Sequence, residues 1–178
     1  MEYILKNSLK IEIRVIEVSD AQSLVKYVKT VSYESNNLLH EPGEWRLTVP
    51  QERKWIEETI ASPKNLSLVA VLDDEIIAVG SIYGSTLRRI KHRSSLSISV
   101  LKEFNGIGIG KILLKKLIKH AETIKLKKVD VELRYDLKNA IHLLETAGFK
   151  KEGIIECGFF VDEKYIDLVL YGKVLEED

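Results

Sequence analysis

The stretch Ser97-Ile98-Ser99-Val100-Leu101-Lys102-Glu103-Phe104-Asn105-Gly106-Ile107-Gly108-Ile109-Gly110-Lys111 decides the fold. It continues an alternating run in which Leu96, Ile98 and Val100 are apolar and Ser95, Ser97 and Ser99 polar, the period-two signature of a strand. Three glycines at alternate positions follow. They let successive backbone N–H groups turn toward one centre and remove the side chains that would block a ligand. The last glycine, Gly110, is expected to open an amphipathic helix carrying Ile109, Ile112, Leu113, Leu117, Ala121 and Ile124 at helical spacing. A helix N-terminus adds unpaired N–H donors and a partial charge of about +0.5. Together these make an anion hole suited to a pyrophosphate. A plain tight connection would need only two glycines, and a helix loses about 1 kcal/mol for each extra one. A dinucleotide-binding fingerprint needs G-x-G-x-x-G in the first strand-helix unit, whereas the spacing here is G-x-G-x-G and lies late in the chain. A phosphate-binding P-loop needs Gly-Lys-Ser/Thr, and Gly110-Lys111 is followed by Ile112.

Toward the N-terminus, Ile11 to Val18 reads as a strand and Ser19-Asp20-Ala21-Gln22 as a capping box, ahead of a helix with Leu24, Val25 and Val28. Tyr33 to Leu47 has no sustained period and reads as a loop. Thr48-Val49-Pro50-Gln51 opens a second helix, with Trp55, Ile56 and Ile60 on one side. Leu66 to Leu72, the turn Asp73-Asp74-Glu75, and Ile76 to Tyr83 form a hairpin. The basic segment Arg88 to Arg93 reads as a connection. Beyond the glycine turn and its helix, Val129 to Leu133 is a strand, and Asn139 to Ala147 a helix stopped by Gly148. Ile154 to Val161 and Tyr165 to Val174 are strands around Asp162-Glu163. The order β-α-α-β-β-β-α-β-α-β-β mixes hairpins with strand-helix-strand units. It implies an α+β architecture rather than a doubly wound parallel sheet.

The 178 residues fit one domain, 1–178, with residues 1–9 expected as a loosely ordered N-terminal extension. Lys plus Arg and Asp plus Glu number 27 each, so no global field favours nucleic acid or an anionic membrane. A single cysteine, Cys157, excludes an internal disulfide and any multi-cysteine metal site. His40, His92, His120 and His142 show no metal-ligand spacing. The first fifteen residues lack the uninterrupted apolar core of a signal peptide, and no window approaches the ~18 apolar residues of a membrane span. A cytoplasmic protein is expected.

The glycine stretch resembles the acyl-CoA-binding turn of the GCN5-related N-acetyltransferases, Gln/Arg-x-x-Gly-x-Gly/Ala, with Asn105, Gly108 and Gly110 at its marked positions. Ala140 to Gly153 is similar to that family's helix ending in Gly-Phe and followed by Glu-Gly. Tyr165-Ile166-Asp167 matches its aromatic-x-Asp near the closing strand, and His92 and the loop Glu41-Pro42-Gly43-Glu44 look like features of a bacterial and archaeal subgroup. The resemblance spans roughly residues 11 to 175. It implies a mixed, mostly antiparallel central sheet with helices on both faces, and acetyl-CoA as acyl donor with no metal. It also implies a V-shaped opening between Ser95–Val100 and Val129–Leu133, where the pantetheine arm meets main-chain groups of Ile98, Ser99 and Val100. Asn105, Gly106, Ile107, Gly108, Ile109, Gly110 and Lys111 would hold the diphosphate, and Asn139 would either touch the cofactor or cap its helix. The expected function is acetyl transfer to a primary amine of a small molecule or peptide by direct attack in a ternary complex. The alternative is a non-catalytic CoA-binding regulatory module. The oligomeric state stays open, a homodimer included.

Three departures touch the proton-transfer groups. Ser95 stands where relatives carry a Glu base, Leu144 where they carry a Tyr acid, and Leu137 where they carry an Asn. A serine hydroxyl is no base near neutral pH. The substitutes are Glu132 as base and Tyr135 as donor to the thiolate, on or just past the second of the two strands. Glu41 and Glu44 are candidates for binding a cationic acceptor. His92 as a base, Cys157 as an acyl-carrying nucleophile and the run Arg88 to Arg93 as a phosphate contact are weighed against structural hydrogen bonding, an inert thiol and a solvated connection.

Overall fold

A computed structural model of the chain describes residues 2–5, 7–44, 46 and 48–176. Two units share the chain, and neither is continuous. One takes residues 1–82 and 97–117, the other 83–96 and 118–178.

In the first unit, β1 (Glu2–Ile4), β2 (Lys10–Val15), β3 (Leu66–Leu72) and β4 (Glu75–Gly84) pair antiparallel in chain order, and the end of β5 (Arg93–Val100) follows β4. The expected hairpin is observed. Asp73 and Asp74 both have positive φ, 47° and 64°, the pairing that a two-residue turn between right-twisted strands requires. Where a loose extension was expected, Glu2–Ile4 form β1, in register Glu2↔Glu12 to Ile4↔Lys10, which covers the edge β2 would otherwise leave open. Helix α1 (Ala21–Glu34) buries Leu24, Tyr27 and Val31, and α2 (Val49–Ala61) buries Ile56. These side chains join Ile16, Ala21, Val69 and Ile76 in one apolar cluster. Ile60, expected on that face, is half exposed, because the buried face of α2 follows Glu52, Ile56 and Thr59 instead. The Thr48/Gln51 capping box is present, with the Thr48 N–H donating to Gln51 Oε1 at 2.8 Å.

On the opposite face lies the first half of α3 (Ile109–Thr123). A Cβ on Gly80 would sit 3.2 Å from Leu117 Cδ1 and 3.3 Å from Leu113 Cβ, with Ile98 next at 3.5 Å. Gly80 therefore sets how closely α3 lies on the sheet. Helices on both sides of the sheet are thus as expected.

In the second unit, the first half of β5 pairs parallel with β6 (Lys128–Arg134), from Arg93↔Lys128 to Ser95↔Asp130. β6 pairs antiparallel with β8 (Lys164–Val174), and β8 with β7 (Lys150–Val161), giving the order β5-β6-β8-β7. The turn between β7 and β8 again uses two positive-φ acidic residues, Asp162 and Glu163. Helix α4 (Lys138–Thr146) ends as the Gly148 position predicts. Phe149 N–H donates to Leu144 O at 3.0 Å and Gly148 N–H to Glu145 O at 2.9 Å around a glycine at φ 84°. Val129, Leu144, Phe149, Val169 and Tyr171 are buried here. Among the described residues no helix is long and apolar enough to cross a membrane.

β2 ends at Val15, three residues earlier than expected, because the chain then turns through a 3-10 segment at Val18–Asp20. The capping box here joins Glu17 to Asp20, not Ser19 to Gln22. Asp20 accepts the Glu17 N–H at 2.7 Å and a two-pronged hydrogen bond from Arg14 at 2.7 and 2.8 Å. Burial pushes the Asp20 carboxyl up. The hydrogen bonds from Arg14 and Glu17, with the Arg14 charge, outweigh burial and hold it below the usual carboxylate range. A carboxylate with a depressed folded-state pKa stabilises the protein above its unfolded value of about 3.9, and loses that contribution as pH falls through the lower value. Asp20→Asn should therefore cost about 1.5–3 kcal/mol at pH 7, as charge-assisted hydrogen bonds do. In urea titrations the gap between variant and wild type should close below pH 4; a gap unchanged from pH 7 to pH 3 would show that the charge of Asp20 does not act on stability.

Candidate functional site

The glycine stretch is built from its two ends. At one end, Leu101 N–H donates to Ile77 O at 2.9 Å and so keeps the end of β5 on β4. The chain then makes a 3-10 turn at Lys102–Phe104, and Asn105 N–H closes on Lys102 O at 3.2 Å. At the other end, Ile109 is 1% exposed and anchors the first turn of α3 in the core. Between them, Gly106 (φ 79°) and Gly108 (φ 107°) take left-handed backbone that favours glycine. A Cβ built on either would meet nothing within 4 Å, so the space over this backbone is open. Gly108 O accepts the Ile112 N–H at 3.2 Å, which makes Gly108 the residue that caps α3. Gly110, expected to open the helix, is its second residue. The N–H groups of Ile109, Gly110 and Lys111 fall in the first turn, where no carbonyl four residues back exists inside the helix. Asn105, Gly106 and Lys111 are exposed. Donors on bare backbone, a helix dipole and a lysine suit a diphosphate.

Two contacts to this segment were missed by reading the sequence. Glu34, at the end of α1, accepts the Lys102 N–H at 2.9 Å, where the turn begins. Tyr27, seven residues earlier on the same helix, places its hydroxyl 2.9 Å from Ser99 Oγ. Tyr27 is buried. Burial pushes its phenol up to about 12. A hydroxyl on the apolar stripe Leu24–Tyr27–Val31 was the available signal.

In the second unit, Glu132 is exposed on β6 opposite Leu170, and Tyr135 is 57% exposed just past the strand, its N–H donating to Asp167 O at 3.1 Å. Asp167 also accepts the Cys157 N–H on its side chain at 3.0 Å, pinning the irregular stretch of β7 between Ile155 and Phe159 where Cys157 has φ 52°. Cys157 is exposed and free. Asn139 is exposed and second in α4, whose N-cap is Leu137, so Asn139 does not cap that helix. Leu144 is buried, and Ser95 is exposed at the last β5–β6 pair. His92 serves through its carbonyl, which accepts the Lys127 N–H at 2.7 Å. In the first unit Glu41 and Glu44 are exposed and bind each other's turn, Glu44 Oε2 accepting the Glu41 N–H at 2.7 Å and Glu41 O the Glu44 N–H at 3.1 Å. Among the described residues no three His, Cys, Asp or Glu side chains are grouped to hold a metal ion.

Residues 34–149 match the model of the acetyltransferase (GNAT) family. A spermidine N(1)-acetyltransferase from Vibrio cholerae is 26% identical over 164 residues, 89% of this chain and 86% of that protein. An acetyltransferase of the GNAT family from Streptococcus pneumoniae superposes with a TM-score of 0.89 at 28% identity, covering 93% of this chain and 99% of its own. A GNAT-superfamily phosphinothricin acetyltransferase from Sinorhizobium meliloti, solved in complex with AcCoA, superposes with a TM-score of 0.80 at 16% identity over 93% and 88% of the two chains.

The left-handed backbone of the turn makes a simple demand. Gly108→Ala, though it meets no neighbour, should lower stability by about 1–2 kcal/mol through its positive φ alone. Chemical denaturation measures this, and an unchanged midpoint would show that the turn does not hold that conformation.

Proposed function

We propose, on the premise that the chain belongs to the acetyltransferase (GNAT) family, that it moves the acetyl group of acetyl-CoA to a primary amine of a small molecule or protein by direct attack in a ternary complex. The observation that carries this reading is the open backbone over Gly106 and Gly108, ahead of the first turn of α3. Main-chain N–H groups from Gly106 to Lys111, with the exposed Asn105 side chain beside them, would hold the diphosphate. Residues 1–178 are read as one such domain, since the family match at 34–149 draws on both units.

The pantetheine arm is assigned to β5. Leu101 N–H points to Ile77 of β4, and main-chain groups along a strand alternate between its two edges. Ser99 therefore shares the β4 side, while Ile98 and Val100 turn their N–H and C=O groups the other way. The parallel ladder on that side stops at Ser95, which is consistent with those groups serving a ligand. Asn139, exposed in the first turn of α4, is retained as a cofactor contact.

Acetyl-CoA supplies an activated acetyl thioester. The amine must first lose a proton, because an ammonium has no lone pair. Its nitrogen then forms a bond to the acetyl carbon, the carbon–sulfur bond breaks, the nitrogen gives up a second proton and the departing sulfur takes one, giving the acetamide and CoA. A main-chain N–H of β5 would polarise the carbonyl. Glu132 and Tyr135 are the candidates for taking and giving the protons. Glu41 and Glu44 are the candidates for receiving a cationic acceptor, with one Glu44 oxygen already engaged inside the loop.

Incubation with acetyl-CoA and a panel of amines, followed by thiol detection, should show CoA release with at least one amine. Gly108→Glu, which puts a bulky anion where phosphate belongs, should abolish acetyl-CoA binding by calorimetry. Wild-type affinity in that variant would remove the assignment.

A further inference from the structure

The segment to which the acyl donor is assigned is held from behind by one helix. Tyr27 and Glu34 lie two turns apart on the same face of α1 and reach β5 and the turn after it three residues apart, at Ser99 and Lys102. Both contacts are 2.9 Å long. The Glu34 contact fixes a main-chain N–H. The Tyr27 contact fixes a strand side chain, Ser99 Oγ. Tyr27 is buried, so its hydroxyl needs a hydrogen-bond partner, and Ser99 Oγ at 2.9 Å is the one at hand. The phenol keeps its proton throughout the physiological range, since burial pushes its pKa to about 12.

We propose that Tyr27 is a positioning residue for the acyl donor, acting through Ser99. By tying α1 to Ser99 of β5 it locks the β5 segment Ile98–Val100 so that its outward main-chain groups are set before the donor arrives. This rests on the assignment of the pantetheine arm to β5 made above. The gain is pre-organisation: a strand end already fixed loses less freedom on binding than one that must be ordered by the ligand. A tyrosine suits the task because its ring is anchored in the apolar cluster with Leu24, Val31 and Ile56, while its single polar atom reaches the strand.

Tyr27→Phe removes one oxygen and keeps the ring. Acetyl-CoA affinity, measured by calorimetry on the full chain, should weaken about five- to tenfold, the range of one lost hydrogen bond. Ser99→Ala should weaken it similarly, and the double variant should be no worse than either single one, since both act on one link. Amide exchange at Ser99 to Lys102 should quicken in Tyr27→Phe. A purely structural Tyr27 would lower the melting temperature in both variants without this shared loss of affinity. Unchanged affinity in Tyr27→Phe, or losses that multiply in the double variant, would overturn the proposal. Gly108→Glu run alongside separates the two readings: if it binds as tightly as wild type, the site itself is misassigned, whereas if it alone loses binding, the site stands and the role of Tyr27 falls.

Discussion

The bare α-carbon of Gly80 is the constraint on which the candidate site depends. With only 3.2 and 3.3 Å between a Cβ there and the side chains of Leu117 and Leu113, any larger residue would lift α3 from the strand. That helix carries the cradle at its other end. Its N-terminal N–H groups are useful only where the core places them, and Ile109 and Leu113, both buried, transmit that placement along the helix. An anion site made of main chain needs no net charge, which reconciles a chain of zero formal charge with a polyanionic donor.

On the other side of the same strands, polar atoms do the fixing. Tyr27 meets Ser99 Oγ, Glu34 accepts the Lys102 N–H, and Asp20 accepts the Glu17 N–H and the Arg14 guanidinium. Each acts on a particular main-chain or hydroxyl group, so each sets geometry where apolar burial alone would allow sliding. Apolar packing orients α3 and hydrogen bonds pin β5, so the strand-turn-helix segment is held from both faces.

The parts of this design legible in the sequence are those written in local chemistry. Paired acidic turn residues at Asp73-Asp74 and Asp162-Glu163, the Thr48/Gln51 box and the Gly148 stop each involve residues within a few positions, and all are present in the fold. What escaped depends on tertiary partners or on competition between local alternatives. β1 forms only because β2 offers an edge, and Ile60 leaves the core because Glu52 and Thr59 share the buried face of α2 with Ile56. The box at Glu17/Asp20 displaced the expected Ser19/Gln22 pair because Arg14 was already committed to Asp20. In the candidate site, the glycine turn ahead of α3 was readable from spacing alone. The Tyr27–Ser99 link, spanning 72 positions, was not.

The departures at Ser95 and Leu144 then acquire a physical meaning. Leu144 is buried, and its carbonyl accepts the Phe149 N–H that completes the end of α4. A tyrosine there would have to bring its hydroxyl out of an apolar position, and a leucine cannot move a proton, so any proton reaching the departing sulfur comes from elsewhere. Ser95 sits at the final β5–β6 pair and is no base near neutral pH. Under the proposal that main-chain groups hold the donor, no substitution at either position removes a donor contact. Proton transfer, by contrast, depends on side-chain identity. A fold that divides the two tasks between main chain and side chains in this way would keep its acyl donor while the groups handling the acceptor and its proton vary.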